Sequence, residues 1–337
     1  MSDTTGDRRA SAPSGAGAQR RSPEVAQEDS VERATDLRPL LFSIAYRMLS
    51  SVSDAEDIVQ EAFLRYERAR RDGAEIDSPK AYLSAVVTRL AIDQSRSARA
   101  RRETYVGTWL PEPLLTDDKA SPEEQVEVAE SLSMGFLLLL ERLSPVERAV
   151  FLLRDVFSYG YDEIAAIVQK RPSNVRQIAV RARRHVESGR PRFEASAEDS
   201  DALAGRFLDA MSNGDVDGLI EMLAADAVVY GDGGGKAPQW SAPIAGVDRV
   251  SRLLAGLGMQ LAGLGITIEP HRVNGQPGAF FIGPDGGLIN VFVLDIADGM
   301  VQTVRSVINP DKLQHLGPLA DVYALVRSRA TKGPENA

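Results

Sequence analysis

Between Leu143 and Glu187 the chain reads LSPVERAVFLLRDVFSYGYDEIAAIVQKRPSNVRQIAVRARRHVE, and no other stretch constrains the fold as tightly. Ser144-Pro145-Val146-Glu147 predicts a helix start. The serine caps free amides, proline fits the first helical position, and the glutamate reaches back. Val146, Val150, Leu153 and Phe157 then recur at helical spacing. Gly160 breaks the run, and Asp162 and Glu163 charge the first turn of a second helix with Ile164 and Val168 inward. Lys170-Arg171-Pro172 makes a turn, and Ser173 is expected to cap a third helix. Val175, Ile178, Ala182 and Val186 keep one face of it apolar, while Arg176, Gln177, Arg181, Arg183 and Arg184 load the others. From Arg171 to Arg192 there are seven arginines and one acid, Glu187. This is the pattern of a helix-turn-helix. Residues near the start of its third helix, Ser173 and Asn174 onward, reach base edges while arginines hold phosphates. The competing reading is a three-helix bundle with a solvated basic face. Such a face interleaves acids with its arginines, and this one nearly lacks them.

The length of 337 residues predicts two or three domains. With no cysteine, disulfides, thiolate metal sites and cysteine nucleophiles are excluded, which fits a reducing cytoplasm. No apolar run reaches membrane-span length, and the N-terminus lacks a hydrophobic signal core. The net charge of -9 is unusual for a nucleic-acid binder. Residues 198–337 carry 10 basic and 17 acidic side chains, a balance of -7, and the rest of the chain supplies the other -2. Positive charge is concentrated at Arg89–Arg102 and Arg171–Arg192. Local patches decide phosphate contact, so weak DNA binding without a helper is expected.

Residues 1–32, rich in Ala, Ser, Gly, Pro and charge, read as a disordered tail. Residues 33–102 read as helices. Leu37, Leu40, Leu41, Ile44 and Met48 form the first stripe, and Ser53-Asp54-Ala55-Glu56 is a second capping signature. The helix it opens carries Asp54, Glu56, Asp57, Gln60 and Glu61 outward. Gly73 ends it, and Ser78-Pro79 starts another that runs into Arg89, Asp93, Gln94, Arg96 and Arg99. An acidic helix beside a basic one suggests a protein partner and a nucleic acid; solvated faces are the alternative.

The two helical blocks, in this order, resemble the extracytoplasmic-function sigma factors of bacterial RNA polymerase. LLFSIAYRMLSSVSDAEDIVQEAFLRY and SPKAYLSAVVTRLAIDQSRSARARRE look like sigma region 2, and residues 128–192 look like region 4. The resemblance implies that Asp54, Glu56, Asp57, Gln60 and Glu61 dock on core RNA polymerase. It implies that Arg89, Asp93, Gln94, Arg96 and Arg99 meet the -10 promoter element, with Tyr82 or Tyr105 available for stacking. It also implies that Ser173, Asn174, Arg176, Gln177, Arg181, Arg183 and Arg184 meet the -35 element of promoter DNA. The linker, residues 103–127, holds Trp109 and Leu110 in a polar setting, and an exposed tryptophan is costly unless it docks. Trp109-Leu-Pro-Glu-Pro113 resembles a motif of the subgroup with a C-terminal extension, which implies a place near the polymerase channel or against that extension.

Residues 198–320 alternate helix and strand signals, with turns at Pro284-Asp285-Gly286-Gly287 and Asp298-Gly299, a short strand over Ala227–Tyr230 and residues 321–337 as a tail. Helices followed by a curved antiparallel sheet resemble the SnoaL-like, or nuclear-transport-factor-2-like, cone. The expected fold class is therefore two all-α sigma domains followed by an α+β cone. Gly231-Asp-Gly-Gly-Gly-Lys236 is not a phosphate loop, since Tyr230 and Ala237 stand where it needs Gly and Ser or Thr. It and Asn309-Pro-Asp-Lys-Leu313 resemble signature motifs of the same subgroup. Asp232, Lys236, Asn309, Asp311 and Lys312, with Trp109 and Leu110, are expected to form a regulatory latch. No cofactor, metal site, catalytic residue or membrane contact is expected, and the cone is expected to regulate in place of, or beside, a separate anti-sigma protein. A small apolar ligand in the cone is a further expectation. Two alternatives stay open: a ligand-sensing one-component DNA-binding regulator, and a cyclase-like enzyme using Glu269 and His271.

Overall fold

The computed structural model describes residues 34–116, 131–189 and 197–331. The expected N-terminal tail, the linker beyond residue 116 and the last six residues lie outside the described residues.

Three helices come first: α1 Arg38–Leu49, α2 Val52–Arg71 and α3 Pro79–Glu103. Ser50 is left-handed (φ 57°) and closes α1. The next residue is extended, so Ser51, rather than the expected Ser53, caps α2 by accepting from the Asp54 amide. Ser78 caps α3 as the sequence predicts. The second block holds α4 Met134–Leu140, α5 Pro145–Phe151, a π-turn over Leu152–Val156, α6 Tyr161–Val168 and α7 Pro172–Glu187. Both arms of the Ser144/Glu147 capping box form. Ser173 is not the cap of α7. Arg171 occupies that position, because Pro172 has its φ preset for a first helical residue and starts the helix one step earlier.

The sequence gives these blocks separate apolar stripes, yet their buried side chains form one core. Leu41, Ile44, Val59 and Leu83 of the first share it with Val150, Leu153, Ile164 and Val175 of the second. Polar bridges seal the joint: Ser84 and Tyr159 hydroxyls 2.7 Å apart, and Arg148 donating to the Met48 carbonyl at 2.6 Å.

The C-terminal unit is an α+β cone of the SnoaL-like class. Helices α8 Ala197–Asn213, α9 Val216–Met222 and α10 Val247–Ala262 pack on the inner face of six strands. These are β1 Leu223–Asp232, β2 Ile244–Ala245, β3 Thr267–Val273, β4 Gln276–Ile282, β5 Leu288–Ala297 and β6 Met300–Val307, in order β2-β1-β6-β5-β4-β3. The sheet is mixed, not wholly antiparallel. The β3–β6 meander ends with β6 beside β1 and running parallel to it. That pairing extends β1 beyond the expected Ala227–Tyr230. Residues 321–337 are not all tail: Val322–Thr331 forms α11, whose Val322 and Leu325 close on the cone core.

Strand β5 is buried along nearly its whole length, as its central apolar run Val291–Leu294 requires. Phe292 and Leu294 face the inner core, while Val291 and Val293 face outward onto Leu110 of the linker and Met134 of α4. The outer face of the sheet is thus the seat on which the helical blocks rest.

Candidate nucleic-acid interface and its latch

On α7, Val175, Ile178, Ala182 and Val186 are buried, which turns Ser173, Asn174, Arg176, Gln177, Arg181 and Arg184 to solvent. Arg176 also lies 5.4 Å from the Tyr161 ring. Arg183 differs. It pairs with Asp155 at 2.5 Å, and that carboxylate holds its pKa up. Replacing Arg183 with alanine is therefore expected to lower stability by about 0.5 kcal/mol, the scale of a partly exposed ion pair. Arg181→Ala should leave stability alone and reduce the salt slope of DNA binding by about one. Urea titration and binding at two salt concentrations separate the two roles.

In the first block, Glu56, Asp57 and Gln60 are exposed along α2, with Asp54 and Glu61 half-buried. Asp54 accepts from Gln94 at 3.2 Å, and Glu61 pairs with Arg65. On α3, Asp93 and Arg96 form an exposed pair at 3.1 Å, and Arg99 faces solvent. Arg89 is exposed, but its guanidinium is already engaged by the second block in this conformation. Its Nε and Nη2 donate to the carbonyls of Ile167 and Ala166, both at 2.9 Å, near the C-terminal end of α6, where the helix dipole favours a cation. Beside the α2–α3 loop, Tyr66, Arg70, Ile76, Asp77, Ser78 and Lys80 line a pocket of about 470 Å³. Tyr82, expected to be available for stacking on bases, packs against Tyr66 instead, with centroids 5.9 Å apart and the rings tilted by 55°.

The latch residues converge. Asp232, wholly buried on the outer face of β1, accepts from the Leu110 amide and from Lys312 Nζ, both at 2.7 Å, and from the Tyr105 hydroxyl. Lys312 also donates to the Leu110 carbonyl. Burial pushes the Lys312 pKa down to about 8, against the pull of Asp232. Trp109 lies between two cations, with Arg102 at 3.8 Å and Lys312 Nζ at 4.4 Å from its ring. Asn309 caps the Pro310–Lys312 turn and donates to Tyr105 at 2.8 Å. Tyr105, the other residue expected to stack on bases, is thus consumed by the latch; burial and Asp232 raise its pKa. Gly234 is left-handed (φ 58°), and a side chain there would strike Asn309 and Tyr105. Lys236 meets Asp311 at the exposed rim, where a pair contributes little.

Three buried residues extend the latch beyond the sequence reading. Glu112, inside the quoted linker motif, accepts from Ser51 Oγ at 2.8 Å and the Val52 amide at 2.7 Å, so the linker charges the start of α2. Asn274 and Gly275 form the left-handed β3–β4 hairpin tip. The Asn274 side chain accepts from the Leu114 amide at 3.0 Å and donates to the Tyr46 hydroxyl at 2.7 Å and the Leu132 carbonyl at 3.1 Å. Gln276 accepts from the Met134 amide at 3.0 Å. The Asn-Gly pair is a hairpin signal in the sequence; its partners are not.

Glu269 and His271 do not enter the cone. Strand alternation turns Ile268 inward and puts both on the outer face, where His271 packs on Phe280 with centroids 4.3 Å apart. The acid–base pair expected of a cyclase is therefore outside the cavity; Asn290 does line it. Among the described residues, no helix is long and apolar enough to cross a membrane.

The Sigma-70 region 2 family matches residues 34–101, and the Sigma-70 region 4 family matches residues 133–186. The chain is 38% identical over 287 residues to the ECF RNA polymerase sigma factor SigJ of Mycobacterium tuberculosis, covering 82% of this chain and 90% of that protein. The chain belongs to the extracytoplasmic-function sigma factors. Probable ECF sigma factor SigI of the same species is 31% identical over 295 residues, covering 87% of this sigma factor and 98% of SigI. The crystal structure of Mycobacterium tuberculosis SigJ superposes with a TM-score of 0.67 at 36% identity, over 86% of this sigma factor and 100% of that chain. Its acidic helix and its helix-turn-helix thus lie within regions 2 and 4 of a sigma factor.

Proposed function

We propose that this sigma factor initiates transcription at its promoters in the cytoplasm, and that its own cone holds it closed until polymerase and promoter compete the contacts away. The observation that carries the reading is Arg89: a cation suited to the -10 element is engaged by region 4 carbonyls while regions 2 and 4 share one core. In the open form Asp54, Glu56, Asp57, Gln60 and Glu61 dock on the polymerase. Arg89, Asp93, Gln94, Arg96 and Arg99 hold the opened -10 strand, and the Tyr66–Lys80 pocket takes a flipped base. Ser173, Asn174, Arg176, Gln177, Arg181 and Arg184 read the -35 element, with Arg183 bracing α7. The chain's acidic balance makes the polymerase necessary for bringing these arginines to the groove. The cone does in cis the work of an anti-sigma protein.

In vitro transcription with core polymerase on a promoter library tests this. The full chain should initiate at a defined promoter class, and Glu56→Ala/Asp57→Ala/Gln60→Ala should abolish core binding while leaving the fold intact. An Arg89→Ala variant should bind promoter less well only within the polymerase complex. Tight operator binding without polymerase, with no initiation, would favour a one-component regulator and sink the reading.

A further inference from the structure

Inside the cone, between α10, α11 and the inner face of the sheet, lies a cavity of about 410 Å³. Trp240, Leu261, Phe281 and Ile289 form its walls, and Val322 and Leu325 of α11 close one side. Among the described residues, none of those lining it is titratable. Its polar atoms come from Gln260 at the exposed rim and from a cluster at one end. There the buried Ser306 hydroxyl meets Gln239 Nε2 at 2.9 Å and Asn290 Nδ2 at 3.0 Å. A charged molecule would leave water here without a counter-charge, which is prohibitive. An apolar body with one neutral donor or acceptor would match both the walls and the amide–hydroxyl cluster.

That cluster is one residue away from the latch. Ser306 pairs in register with Gly231, and Val307 with Asp232. Successive strand residues face opposite ways, so Ser306 faces the cavity while Asp232 faces Leu110 and Lys312. Gln239 is packed against Gly231, since a side chain there would collide with it. The Asp232 carbonyl in turn accepts from the amides of Ile308 and Asn309, at 2.9 and 3.0 Å, where the Lys312 turn begins. Anything that draws Gln239 or Ser306 toward a cavity ligand therefore pulls on both strands that carry the latch.

We propose that the cone cavity binds an uncharged, mainly apolar molecule with one hydrogen-bonding head, and that its occupancy is energetically coupled to the Asp232–Lys312 latch. The inference rests on the latch reading above. Its test does not use transcription, so its failure leaves that reading of initiation standing.

The probe is N-phenylnaphthylamine, a neutral fluorescent amine, compared on the full chain with anilinonaphthalene sulfonate, which adds an anionic group to the same rings. The neutral probe should bind saturably at one site, and the sulfonate about tenfold more weakly or worse. Gln260→Trp fills the cavity from its exposed rim without disturbing the core, and should weaken the neutral probe about tenfold. Lys312→Met, which breaks the latch on the other face, should shift its affinity about fivefold, because coupling is reciprocal. Unsaturable binding, equal binding of the two probes, or indifference to Gln260→Trp overturns the site. An unchanged affinity in Lys312→Met overturns the coupling.

Discussion

Changing Asp232 to alanine is expected to destabilise the closed form by about 3–5 kcal/mol, the cost of stranding one member of a buried ion pair. Asp232 is wholly buried and gathers a lysine, an amide and a phenol from two distant segments. Without it, Lys312 keeps only the Leu110 carbonyl and the rings of Tyr105 and Trp109. Asparagine should do little better, since its amide would present hydrogens to groups that themselves donate. Lys312→Met should cost less, because the carboxylate keeps the Leu110 amide and Tyr105. The double variant Asp232→Asn/Lys312→Met should cost less than the two singles together, the signature of direct pairing. Trp109 reports on the outcome: with Trp240→Phe it is the only tryptophan, and losing Lys312 from its face should alter its emission. Urea titration followed at Trp109 should show the latch opening early in Asp232→Ala. Wild-type and Asp232→Ala curves that coincide would remove the latch as a determinant of closure.

The second large effect is expected at Asn274. Alanine there removes three buried hydrogen bonds, each contributing about 1 kcal/mol net, and tolerates the left-handed backbone less well than asparagine does. Asn274→Gly relieves the backbone and should be the mildest change. Asn274→Asp keeps an acceptor for the Leu114 amide but turns an oxygen toward the Leu132 carbonyl, and should be the most damaging. The expected order of stability is therefore wild type, Gly, Ala, Asp, read by urea unfolding and by hydrogen exchange at the Leu114 amide. If Ala matches wild type, the hairpin tip does not hold the helical blocks.

These two residues mark the boundary of what was legible. Asp232 could be singled out because a motif resemblance surrounds it. Asn274 could be read only as half of an Asn-Gly turn, because nothing near it in the chain names Tyr46, 228 residues away, as its partner. The small misplacements have a local cause. Ser51 and Arg171, rather than Ser53 and Ser173, take the cap positions because Ser50 reverses the chain early and Pro172 starts its helix early. The parallel β1–β6 pairing is not legible in the sequence, because a parallel neighbour is set by how α10 and the meander return the chain, not by the pattern of either strand.

The sequence by itself determined most of the helices, though not α4 or α11, together with their inward faces, the exposed basic face of α7 and the acidic face of α2. Periodicity and capping act within about four residues, so they are written locally. The apolar run of β5 likewise required cover on both faces of the sheet. Only the tertiary structure decided what that cover is, and which charged groups are free to act. It assigns Arg89 to the α6 carbonyls, Arg183 to Asp155, Tyr105 to Asp232 and Glu112 to the start of α2. A buried polar group must find a partner when it leaves water, and the partner comes from whichever segment covers it.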